Sequence, residues 1–360
     1  MPQIGAPCER PNGGTVCPRM PAVVRLVKWA LALAGGALWA LHRLVHTSLF
    51  YDEWTLVGQT LHRRPWGAAV ASFNGHLWLF QDLLYRAQVH WFGVDQHWLV
   101  VGAFVVVLMA LHVAVTRLAL AAGLPLGVAL VVGLVVTYLG RGAQDHVFAV
   151  QVSPMAAVAL SVWACRSVVV EEPTRRATAL VGVVALLAVV AESGAGGIGL
   201  VMGAVLVVAL WGRRHLVVLV PAAAVVTAWL LFADGGPTFP SGRALQLRWF
   251  LSLLSHGAGS LVGGRAAAGL TVLLAGGLTA LWLGRVGAWR RTDAALACAG
   301  VAGAIASAAA VARTRAGLPG LELVGSNRYV HGVAVPMAVA AVGVIAAVSH
   351  RVRRPTGSRW

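Results

Sequence analysis

The sequence is poor in charge. Of 360 residues only 11% are charged and only 12 are Asp or Glu, whereas 59% are hydrophobic. A soluble chain of this length needs about a quarter of its residues charged to cover its surface, so a soluble globular protein is excluded. Lysine is all but missing: every one of the 28 basic residues except Lys28 is an arginine. Cysteine is scarce as well. Cys165 and Cys298 fall in or beside apolar stretches, and Cys8 and Cys17 lie in a polar leader. That spacing makes neither a disulfide framework nor a zinc site.

Apolar sequence is what the chain has in quantity. Runs at 100–111, 128–136 and 216–231 have the length and purity of bilayer spans or large parts of them. The expected fold class is an all-α integral membrane protein of about ten transmembrane helices. Their expected positions are 22–48, 98–119, 125–140, 149–166, 177–192, 197–211, 216–232, 266–284, 294–312 and 331–349. A leader, 1–21, is expected to be disordered and cytoplasmic, or to lie upstream of a true start at Met20. The apolar segment from Ala22 reads as a retained helix rather than a cleaved signal. Residues 22–349 form the polytopic domain, and 350–360 a basic cytoplasmic tail.

The net charge of +16 does not indicate nucleic acid, because the arginines are scattered in short clusters between apolar segments. That is the distribution of topology signals and headgroup contacts. With the N-terminus inside, 17 basic residues fall in inside loops and ten outside, so both termini are expected to be cytoplasmic, in a plasma membrane. Under that orientation Asp52, Glu53, Asp82, Asp95, Asp145, Glu192, Asp234 and Glu322 lie outside or at outer span ends. The longest outer segment, 49–97, is rich in Trp, His and amide residues. From Leu77 onward it has a helical stripe of Leu77, Phe80, Leu84 and Val89, with Gln81, Asp82 and Arg86 beside it. This predicts an amphipathic helix lying in the interface plane, with Trp91 and Trp98 in the aromatic belt.

That loop opens with LFYDEWTLVGQ. Two adjacent carboxylates repel each other, and their apolar neighbours disfavour ionisation, which suits a general base. Equally, Asp52 could cap a helix with Glu53 in its first turn. An acidic pair at the outer end of the first span, opening a long amphipathic outer loop, resembles the membrane-embedded glycosyltransferases of the GT-C superfamily. More closely, the chain is similar to a group of actinobacterial multi-span proteins of that general type. The matching stretches are Asp52-Glu53-Trp54, Asn74-Gly75-His76 and Leu83-Leu84-Tyr85. GRGAQDHVFAVQ from Gly140, ESGAGGIG from Glu192 and Ser326-Asn327-Arg328-Tyr329 match further pieces of the pattern. The resemblance covers roughly residues 22–349. Gly75 stands where the pattern carries an acidic residue, and no large soluble outer domain is expected.

The resemblance implies a GT-C-like fold and sugar transfer at the outer membrane face. The donor would be a polyprenyl-phosphate-linked sugar, and the acceptor a glycan, lipid or protein of the cell envelope. Asp52 is then the candidate base, with Glu53 assisting. The pair offers ligands to a divalent cation, Mg or Mn, without requiring one. Asn74 and His76 would orient the acceptor or the sugar. Arg328, beside Tyr329, is the expected phosphate contact, because guanidinium matches phosphate oxygens bidentately. Arg243 and Arg248 are alternatives, on what reads as a turn and a surface helix. Asp145 and His146 form a second outer polar site. Glu192 either lines a cavity next to Gly194, Gly196 and Gly197 or is solvated at a span end. A lipid or glycolipid transporter, for which broken helices are typical, and a non-catalytic membrane scaffold are the rival readings. There is no phosphate-binding glycine loop and no nucleophile elbow, which disfavours a soluble nucleotide-sugar transferase.

Overall fold

A computed structural model describes residues 21–45, 57–58, 77, 79–94, 97–138, 151–232, 241–263, 266–317 and 327–353. Among them there are helices and no strand. The helices are α1 (Ala22–Val45), α2 (Leu79–Phe92), α3 (Trp98–Ala121), α4 (Leu126–Tyr138), α5 (Val152–Val170), α6 (Arg175–Ala191) and α7 (Ser193–Leu206). After α7 the helix widens into a π-helical turn, Val207–Trp211. A 3-10 stretch, Arg213–Leu219, then leads into α8 (Val220–Phe232). The chain continues with α9 (Arg243–Ser260), α10 (Ala266–Arg285), α11 (Arg291–Arg315) and α12 (Asn327–Arg353).

The ten expected spans are helical where described, apart from Pro125 and Glu192 at their ends, but among the described residues eight stretches are long and apolar enough to cross a membrane. They are Ala22–His42, Trp98–Ala121, Val152–Val170, Ser193–Trp211, Arg213–Leu231, Ala266–Arg285, Arg291–Arg315 and Tyr329–Arg353. α4 has 13 residues and α6 has 17, short of the roughly 20 that a perpendicular crossing takes. The protein is an all-helical, multi-pass membrane protein. A helix absent from the expected spans is α9, which buries Trp249 and Leu253 against Ala304, Ala308 and Ala312 of α11 and Val333 of α12.

The helix interfaces rest on small residues, as expected where lipid tails remove the hydrophobic advantage of burying leucine. α11 and α12 make the most extensive pair. There the Gly300 backbone lies so close to Pro336 and Ala340 that any side chain would enter the α12 backbone. Pro336 has no N–H to give its own helix, yet its carbonyl helps form this close approach. Three stretches at the periphery, Ala22–His42, Arg213–Leu231 and Ala266–Arg285, have few buried residues, as lipid-facing helices do.

The contacts sort the helix ends into two sets. At one, Trp39 of α1 meets Tyr138 of α4 edge-on at 6.0 Å, and His331 Nε2 of α12 donates to the Val136 carbonyl at 3.2 Å. At the other, Arg117 of α3 lies 5.7 Å over the Trp29 ring of α1. There too, Arg291 Nε donates to the Ala209 carbonyl at 2.6 Å, and Trp211 Nε1 to that of Glu171 at 3.0 Å. His350 Nε2 of α12 lies 3.2 Å from the carbonyl of Ala122, the residue that follows α3. Most described basic residues gather at this second end, among them Arg25, Lys28, Arg117, Arg175, Arg176, Arg213, Arg214, Arg285, Arg290, Arg351 and Arg353.

Candidate functional site

Glu192 sits at the first end, in the one-residue gap between α6 and α7. Its extended backbone (φ −158°, ψ 124°) closes α6 and opens α7. The side chain is 4% exposed. Its two carboxylate oxygens accept the N–H groups of Gly194, at 2.8 Å, and of Ala195. These donors at the start of a helix have no partner inside it, and a negative charge there also meets the positive end of the helix dipole. The sequence left Glu192 between a buried and a solvated role. It is buried, and it caps α7. Below it a small void between α5, α6 and α7, lined by Ser161, Ala185, Ala188, Gly199 and Leu219, is almost wholly apolar.

The neighbouring residue joins this break to the first loop. Leu77 N–H donates to Ser193 Oγ at 3.1 Å, and Ser193 N–H donates to the Leu77 carbonyl at 3.3 Å. Two residues later α2 begins, packed against α3, α5 and α6.

α2 turns an aromatic side outward, as an interface helix does, and packs its polar side against the bundle. Gln81, Asp82, Tyr85 and Gln88 are buried, while Phe80, Leu83, Trp91 and Phe92 are exposed. Leu84 and Val89 of the expected apolar stripe are only half-buried, and Phe80 faces out. The aromatic, lipid-facing side satisfies the membrane interface, so burying the polar side costs only as much as its groups go unpaired. Most are held. Arg86 Nε donates to Asp82 Oδ2 at 2.7 Å, with a longer second contact from Nη2 at 3.4 Å. Gln88 accepts from Leu99 N–H at 2.9 Å and donates to the Gly93 carbonyl at 3.4 Å, which fastens the end of α2 to the start of α3. Gln81 differs: it is 0% exposed, and neither its amide nitrogen nor its amide oxygen has a partner. Each such group costs about 1–3 kcal/mol. Trp91 and Trp98 are exposed, at 69% and 55%, as aromatic-belt residues are.

Of the other sequence candidates, Tyr329 is half-buried in the first turn of α12 and packs on the cluster around Trp249. Arg328 belongs to the same turn, with its side chain outside the described residues. Asp52, Glu53, Asn74, His76, Asp145 and His146 also lie outside the described residues. Arg243 and Arg248 are exposed on α9. Among the described residues no group of three or more His, Cys, Asp or Glu side chains could hold a metal ion.

One polar feature escaped the sequence reading. His112 of α3 is fully buried in mid-span, with both ring nitrogens unpartnered, and Thr116 one turn on has an unpartnered hydroxyl. Both face Gly133 of α4, where a Cβ would sit 2.9 Å from His112 Cδ2. The Tyr138 ring lies 5.7 Å from His112 and the Trp29 ring 6.5 Å. His112 is the only titratable residue between Trp98 and Thr116, so the signal was present.

No family model, curated protein or solved structure matches this chain.

Proposed function

We propose that the protein is a membrane-embedded glycosyltransferase that moves a sugar from a polyprenyl-phosphate carrier to a cell-envelope acceptor. The observation that carries the reading is the Leu77–Ser193 pair. It ties the residue that follows the Asn74-Gly75-His76 stretch to the Glu192 break. At the same end, α4 touches both α1, whose chain leads on to Asp52, and α12, whose first turn carries Arg328. Surface group transfer needs a base, an acceptor-orienting stretch and a phosphate contact on one face, and the described chain ends adjoin the segments that carry these candidates.

In this reading the basic end faces the cytoplasm of a plasma-membrane protein, with both termini inside. Asp52 takes the proton of the acceptor hydroxyl as that oxygen attacks the anomeric carbon, and Glu53 assists. Asn74 and His76 orient the acceptor or the sugar. Arg328 and Tyr329 steady the departing phosphate, and Asp145 and His146 add polar contacts. Glu192 serves by fixing the α6–α7 break. The transporter reading gains less support, since the void beside that break is apolar.

The test is mass spectrometry of envelope glycans and glycolipids from a deletion strain complemented with wild type or with Asp52→Asn at matched membrane levels. Loss of a sugar-sized mass, restored by wild type alone, is the expected result. Full restoration by Asp52→Asn would reduce the acidic pair to a helix cap and move a transporter or scaffold to the front.

A further inference from the structure

At the end of the bundle opposite Glu192, one atom holds two hydrogen-bond partners of opposite sense. His350 Nε2, in the last turn of α12, lies 2.9 Å from Nη1 of Arg290, the residue before α11, and 3.2 Å from the carbonyl of Ala122, the residue after α3. A guanidinium only donates and a carbonyl only accepts, while a ring nitrogen carries either a lone pair or a hydrogen. The two bonds therefore exclude each other. With Nε2 bare, His350 accepts from Arg290; with Nε2 protonated, it donates to Ala122. The ring is seated closely on this turn, since a Cβ on Gly123 (φ +87°) would come 2.9 Å from His350 Cε1. It is half-buried, so protons from solvent reach it. Ala122 is 4% exposed, and its carbonyl is one of those that the end of a helix leaves unserved.

A third group supports the exchange. Asp293, in the first turn of α11 and 1% exposed, accepts the Arg290 backbone N–H and is close enough to both Arg290 and His350 to feel their charges. Its Oδ2 has no hydrogen-bond partner. A positive charge on His350 repels the Arg290 guanidinium, and the carboxylate keeps the imidazolium as a cation beside it. The other charged groups nearby on α10, α11 and α12 are Arg285, Arg291, which is held on the Ala209 carbonyl, Arg351 and Arg353. Arg117 of α3 lies over Trp29, and residues 122–137 include no Asp, Glu, His, Lys or Arg. α9 meets α12 at Val333, near its opposite end, so Arg243, Arg248 and His256 stand away from His350. We propose that His350 is a proton-operated latch. Neutral, it holds Arg290 at the start of α11; protonated, it releases Arg290 and clasps the end of α3. Histidine is the side chain that ordinarily changes charge between about pH 5 and 8, which sets the range in which such a latch works. The inference is independent of the glycosyltransferase reading.

The test uses the full-length protein in nanodiscs of neutral lipid, at about pH 5.5 and about pH 8. Hydrogen exchange, with labelling times scaled for the intrinsic rate, reads the N–H groups of Gly123 and Leu124, which bond back to α3 carbonyls. Phenylglyoxal labelling, mapped by mass spectrometry, reads Arg290 against the exposed Arg353 as an internal standard. In wild type, exchange at the turn is expected to be roughly fivefold slower at the lower pH, the effect of one net hydrogen bond. The ratio of Arg290 to Arg353 labelling should be higher there. His350→Gln, whose amide donates at every pH, should keep the turn slow at both. His350→Phe, which has no ring nitrogen, should leave it fast at both. Wild type with the same exchange and the same labelling ratio at the two pH values overturns the latch. A turn that responds while Arg290 does not overturns the exchange of partners, and the latch with it. A His350→Phe protein that keeps the pH response overturns it too, because another group then carries that response. The wild-type comparison decides even where a variant fails to fold.

Discussion

Leu77 and Ser193, 116 residues apart in sequence, hold each other through two hydrogen bonds, one to the serine hydroxyl and one to its backbone N–H. The first loop is thereby fastened to the junction of α6 and α7 by backbone geometry, with a single side chain involved. Ser193→Ala removes the acceptor of a buried N–H, at a cost of about 1–2 kcal/mol. Hydrogen exchange in detergent or nanodiscs should show the loss as faster exchange across Leu79–Phe92, with α11 and α12 unchanged. Uniform loosening of the whole bundle would mean that the pair is not a local fastening.

Glu192 gives a second prediction, because its carboxylate accepts two N–H groups at once. Glu192→Ala should cost about 1 kcal/mol, and Glu192→Gln, which keeps one acceptor, distinctly less. If capping is its whole role, Glu192→Gln also restores the envelope glycan in the complementation assay. A Glu192→Gln protein that melts like wild type yet restores nothing would give the carboxylate a direct part in chemistry.

The helix positions were legible in the sequence because runs of Val, Leu and Ala have to be helical in lipid, where every backbone group needs a partner within its own segment. Glu192 was legible as a special position, since a carboxylate among glycines at a span end has few uses. The burial of the polar side of α2 against the bundle was not. Hydrophobic periodicity identifies two faces but does not say which one is buried, since lipid receives Phe80 and Leu83 as readily as a protein core does. Nor did the loop chemistry of α9 disclose its packing: Trp249 and Leu253 are one turn apart among Gln, Arg and Ser residues, and the alanine surface of α11 with Val333 of α12 makes a core for them.

Close backbone contact supplies a third prediction. Gly300→Leu would drive a side chain into the α12 backbone at Pro336 and Ala340, whereas Gly277→Leu, with no heavy atom near its Cβ, adds apolar surface facing lipid. Overpacking of this kind costs about 1–3 kcal/mol or more. Fluorescence-detected size exclusion after a heating series should show the first variant losing its monodisperse peak well below wild type, and the second eluting like it.

His112 offers a fourth. Replacing a buried imidazole that has no hydrogen-bond partner by leucine removes two unpaired nitrogens and fills much the same volume. His112→Leu is therefore expected to melt at or above the wild-type temperature and to restore the envelope glycan fully. A raised melting temperature together with lost complementation would mark His112 as a group kept for function at the expense of stability.

The packing of α2 has a bearing on how the protein is made. α2 leaves the ribosome early, but its polar face rests on α3, α5 and α6, and its anchor at Leu77 needs Ser193. More than half of the chain must be synthesised before these surfaces exist. Until then a segment that is polar on one side and aromatic on the other is expected to rest at the headgroups. Completion of α6 and α7 draws it into place, which makes assembly of this face a late event in biogenesis, and nascent chains cut short of residue 193 would display Gln81 and Tyr85 to quality-control factors instead of hiding them.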